Sequence, residues 1–140
     1  MRVALDPGRV KCGWAVQCQP LHSPLIGVVH LENLEILLRQ VARFFAARQI
    51  VVGKGTGSRP VIELARRVFP STAVTAVDET GSTEEALQLY LHHRGKGRLG
   101  RMLRLLGHYV APSPLDGYAA WVLLRRTASP NEGYPDTRLP

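Results

Sequence analysis

The spacing of the apolar residues changes at residue 31, and that change limits what the chain can fold into more than any other feature. Before it, apolar residues come in strand-length runs, Arg2 to Asp6, Gly13 to Cys18 and Leu25 to His30, separated by Pro7-Gly8 and by the interval from Pro20 to Pro24. After it, Leu31, Leu34, Leu38, Val41 and Phe45 recur at threes and fours, with Leu37 and Phe44 widening the stripe, which predicts an amphipathic helix from Leu31 to Arg48. Glu32 and Glu35 early in that helix and Arg43 and Arg48 late in it complement the helix dipole. Gln49 to Gly53 then reads as a buried strand, Pro60 to Phe69 as a helix and Ala73 to Asp78 as a further strand. Ser82-Thr83-Glu84-Glu85 matches a capping box opening a helix toward His93. Leu99, Met102, Leu103 and Leu106 have helical spacing, Pro112 and Pro114 end that segment, and a last apolar helix runs from about Leu115 to Arg126. The order β-β-β-α-β-α-β-α-α leads antiparallel strands into a parallel set through right-handed crossovers. The predicted class is α/β, with a central mixed five-stranded sheet flanked by helices.

A chain of 140 residues with 45% hydrophobic content is the size of one domain and can bury a core without staples. No internal repeat divides it; residues 1 to 126 form the expected domain, and 127 to 140, with three prolines and little apolar content, the expected loose tail. Eighteen Lys and Arg against eleven Asp and Glu give a net charge of +7, a field that favours polyanions such as nucleic acid or an anionic membrane. There is no apolar run of about 18 residues and no signal-peptide pattern, so a soluble cytoplasmic protein with no membrane association is expected. Cys12 and Cys18 fall in one predicted strand, roughly 20 Å apart, too far for a disulfide, and read as ordinary thiols.

Three acidic segments stand out: Leu5-Asp6-Pro7-Gly8, with Gly13 and Val16 after it; Val77-Asp78-Glu79-Thr80 at the end of a later strand; and Leu115-Asp116-Gly117-Tyr118-Ala119-Ala120 in the last helix. In order and spacing they resemble the YqgF/RuvX family of Holliday junction resolvases and processors of precursor small-subunit ribosomal RNA, over about residues 1 to 126. The resemblance implies an RNase H-like fold and a metal-dependent nuclease in which Asp6, Glu79 and Asp116 are catalytic. It implies magnesium or manganese, two ions, as cofactor, and structured RNA or branched DNA as partner. The chemistry has its own reason for such a set: two hard cations about 4 Å apart assist in-line attack on a phosphodiester, and carboxylates supply their oxygen ligands. Asp78 is a fourth candidate metal ligand; strand alternation points Asp78 and Glu79 to opposite sides, and the family pattern favours Glu79. Each acid also has a plain structural reading: Asp6 starting a turn, Asp116 closing a capping box with Ser113, and Asp78 and Glu79 solvated in a turn.

The chain departs from the family pattern in two places. Gly53-Lys54-Gly55-Thr56-Gly57-Ser58 stands where relatives carry Gly-Leu-Pro; such a loop before a helix suits phosphate, with Lys54 as a contact, or is simply a flexible turn. Thr80 and Gly81 follow Glu79, where the family carries Arg. Ser58 in place of a third glycine, and too little chain after Asp78 for the remaining strands, weigh against a dinucleotide fold, and no Walker lysine follows the loop. An actin-like phosphotransferase would need two such domains. Arg98, Arg101 and Arg104 at threes form one helix stripe, extended by Arg94, Lys96 and His108: either a solvated face or a guide for phosphates toward the acids. A nuclease for structured nucleic acid is therefore expected, with junction-resolving activity on DNA and an inactive nucleic-acid-binding module as the alternatives; monomer and homodimer both remain open.

Overall fold

The structure, a computed structural model, describes residues 1–19, 22–94 and 115–128. Five strands, β1 (Arg2–Pro7), β2 (Lys11–Gln17), β3 (Leu25–His30), β4 (Gln49–Gly53) and β5 (Ala73–Val77), alternate with α1 (Leu31–Phe44), α2 (Ser58–Val68), α3 (Ser82–Arg94) and α4 (Leu115–Arg126). The sheet order is β3-β2-β1-β4-β5; β1 to β3 are antiparallel neighbours, while β4 runs parallel to both β1 and β5. The expected α/β class with a mixed five-stranded sheet is present, and the first strand lies at its centre.

Strand alternation divides the core in two. Val3 and Leu5 of β1, Cys12 and Val16 of β2 and Ile50 and Val52 of β4 pack with Leu34 and Leu38 of α1 and Val61 and Ala65 of α2. Ala4, Ala15 and Val51 face the opposite way, against α4 and, beyond it, Ala86 and Leu89 of α3. Burying each large side chain of these layers stabilises the fold by about 1.5–3 kcal/mol. The α4 face is built for close approach: a methyl at Gly13 would overlap the Asp116 carbonyl oxygen, and one at Gly117 would lie 3.0 Å from the Gly27 nitrogen. Residues Gly117 to Leu124 of α4 are all buried, so this helix is a core element apolar on every side.

Several element ends differ from expectation. Helix α1 stops at Phe44, where the Phe45 N–H closes the last turn onto Val41; Arg48 lies beyond, its N–H donating to the Met1 carbonyl at 2.8 Å. Docking that backbone beside β1 requires the chain to leave the helix early, so Phe44 and Phe45 are 70% and 48% exposed and do not extend the buried stripe. Helix α2 starts at Ser58, ahead of Pro60, because Gly57 in the left-handed region (φ 81°) turns the chain there. The capping box is displaced in the same way: Gly81 (φ 74°) precedes α3, the Glu85 N–H donates to the Gly81 carbonyl, and Ser82 is the first helical residue. Cys12 is buried and Cys18 exposed, both free thiols.

Candidate acidic site at the end of the central strand

Asp6 shares the parity of Ala4, so its side chain leaves β1 on the α4 face, at the carboxyl end of the central strand. Parallel pairing brings Gly53 of β4 and Val77 of β5 to the same edge, Gly53 opposite Val77. Glu79 follows Val77 by two residues and folds back over the Gly53 backbone. A Cβ at Gly53 would stand 2.5 Å from Glu79 Oε2 and 3.4 Å from Asp6 Oδ1, and one at Gly55 would overlap Glu79 Oε1. The glycine-rich loop thus makes room for a carboxylate at its first two glycines, a role that its sequence did not signal. Asp116 reaches the same edge from α4, its backbone resting on Gly13, the residue paired with Asp6 across β1 and β2.

The electrostatics follow from this crowding. Burial first, and then the neighbouring carboxyl groups of Glu79 and Asp116, push the Asp6 carboxyl up from 3.8 to about 7. Glu79 Oε2 is buried without a hydrogen-bond donor. Two ionised carboxylates can only accept, so at this approach the pair calls for a proton, given by Asp6 to Glu79, or for a cation between the oxygens. Asp116 has a cation already: Lys11 Nζ stands 3.1 Å from its Oδ2. Among the described residues no three His, Cys, Asp or Glu side chains are gathered closely enough to ring one ion; Asp6 and Glu79 are neighbours, while Asp116 leans on Lys11. A cleft of about 400 Å³ lined by Asp6, Gly8, Arg9, Val10, Lys11 and Asp116 opens beside them.

Asp78 faces elsewhere. Its exposed Oδ1 accepts from the Thr80 N–H at 2.9 Å and the Thr80 hydroxyl at 2.7 Å, bonds that hold its carboxyl below the usual range with help from Arg126 and Lys54. The two acids therefore part as expected, Asp78 into the turn and Glu79 toward Asp6, but beyond the end of β5 and through the Thr80 bonds rather than through strand alternation. Arg126, at the far end of α4, donates to the carbonyls of Asp78 and Thr80, each at 2.9 Å, and to Glu85 Oε1 at 2.6 Å. Its guanidinium thereby ties the end of α4 to the turn that carries Glu79 and to the first turn of α3. Lys54 is exposed, its backbone N–H donating to Val77. Lys96, Arg98, Arg101 and Arg104 lie outside the described residues, as do the side chain of Arg94 and most of the expected tail.

Lys11, Arg9 and Arg126 are the site-forming residues that sequence reasoning passed over. For Lys11 and Arg9 a signal existed: basic residues in a tight turn that follows Asp6 must lie near it. For Arg126 there was none, since its partners are over forty positions away. Cys12 lies beneath the site, but burial and then the charge of Asp6 push its thiol up to about 12, too high for a nucleophile near neutral pH. No helix among the described residues is long and apolar enough to cross a membrane. No protein-family model matches the chain, and no curated protein matches it.

Proposed function

We propose that this chain is a divalent-metal-dependent nuclease with an RNase H-like core, acting on structured RNA such as precursor small-subunit ribosomal RNA in the cytoplasm. The observation that carries the reading is the Asp6–Glu79 pair, an orphaned, buried carboxylate oxygen beside a carboxyl group pushed up to about 7. Such a pair fits magnesium or manganese, hard ions that seek oxygen ligands and relieve carboxylate repulsion. The arrangement of two parallel pairs beside three antiparallel strands, with the acid on the central one, is compatible with the RNase H-like core that the sequence resemblance implies.

Asp6 and Glu79 would hold the metal and Asp116 would face it from α4. A divalent ion held there would supply Lewis acidity toward an attacking water and the phosphate oxygens. The chain's own contribution is placement: the Gly53 and Gly55 backbones leave Glu79 space, and Arg9 and Lys11 on the cleft wall attract the phosphate. Asp78 braces the turn, outside this chemistry. The test is cleavage of labelled structured RNA and of a four-way DNA junction by the purified protein with manganese. Cutting that chelator stops and that Asp6→Asn lowers by at least about a hundredfold, with binding retained, is the expected result. Salt-sensitive binding without metal-dependent cutting by the wild type would instead identify a nucleic-acid-binding module; preferential cutting of the junction would identify a resolvase.

A further inference from the structure

We infer that Lys11 is a resident cation of the acidic site, standing where a second metal ion would otherwise be required, so that each chain takes up one divalent ion. This rests on the metal-dependent reading above and deepens it. Lys11, Gly13 and Ala15 alternate on the α4 face of β2, so the Lys11 side chain leaves the strand on the same side as the Asp6 carboxyl. The Lys11 ammonium lies 3.1 Å from Asp116 Oδ2, and both residues line the cleft that Asp6 lines. One Asp116 oxygen is therefore paired with an internal cation, while Asp6 and Glu79 face each other with an acceptor left over.

Charge balance agrees. Three carboxylates, one ammonium and one divalent ion are neutral before substrate arrives. A second divalent ion would have to displace Lys11 from Asp116 or share the carboxylate with it at close range, a like-charge contact that is costly in a partly buried cleft. Arg9 lines the same cleft, but the ion pair to Asp116 is made by Lys11. Both partners are about half exposed, side chains at 47% and 37%, so the ammonium can be removed without emptying a core position.

Counting bound manganese by electron paramagnetic resonance during titration of the full chain tests this without reference to activity. Wild type takes up one ion per chain, Lys11→Met takes up two, and Lys11→Arg, which keeps the cation, returns to one; thermal melts confirm that each variant is folded. A Lys11→Met count equal to that of wild type overturns the assignment, and two ions on wild type overturn it while leaving the metal-dependent reading standing. No manganese on either protein overturns both.

Discussion

At the scale of single residues, the site is defined by a carboxyl group in an environment that resists its charge. Asp6 is held at about 7 in the folded chain against 3.8 when unperturbed, first by burial and then by Glu79 and Asp116. Its folded value is the higher one, so the folded state binds the extra proton between those limits. Its contribution to stability is whole below pH 4, declines as pH rises and is gone above about 7. We expect the metal-free wild type to lose on the order of 4 kcal/mol over that window relative to Asp6→Asn, which cannot ionise. Urea denaturation at a series of pH values measures it; parallel curves for the two proteins would show that Asp6 is not held in this way. Asp6, Glu79 and Asp116 were picked out in the sequence by the three motifs that carry them, whose order and spacing resemble a known family, and the fold brings Asp6 and Glu79 together. Lys11 was passed over, since a lysine opening a strand is ordinarily only a solvated charge, although its place in the turn after Asp6 was a signal.

Among the elements, α4 unites the structure. It is buried along most of its length, it starts over Gly13 with Asp116 and it ends with Arg126 on the Asp78–Thr80 turn. One helix thereby sets the position of one acid directly and braces the turn that carries another. Arg126→Ala removes bonds to two carbonyls and one carboxylate and should lower stability by about 1–2 kcal/mol, a partly exposed site tempering the loss. Because the turn holds Glu79, the apparent manganese affinity should fall with it; a variant that loses stability while binding manganese as wild type does would confine Arg126 to a structural role. Apolar spacing revealed the existence of each helix and strand described. It was poor on their ends, because Gly57 and Gly81 turn the chain by backbone conformation and Arg48 is drawn to β1 by a hydrogen bond across the sheet. Periodicity carries neither kind of information.

Over the whole molecule, three segments separated by seventy and thirty-odd positions are brought to one sheet edge by the order β3-β2-β1-β4-β5. The sequence pattern allowed this order to be anticipated as a class, because hairpin signals precede crossover signals and crossovers have one hand. Side-chain geometry within the site was not legible: which oxygen lacks a partner, and that Asp116 leans on a lysine, depend on packing at the level of single atoms. The net charge of +7 sets this acidic edge in a basic molecule, a balance that on the proposed nuclease reading favours the approach of a polyanion. The central claim is that folding gathers Asp6 and Glu79 into a site for a hard cation. Anomalous diffraction from a manganese-soaked crystal tests it most directly. A manganese peak within coordination distance of both carboxyl groups is predicted; a peak at other residues alone, or none at this edge, would contradict it.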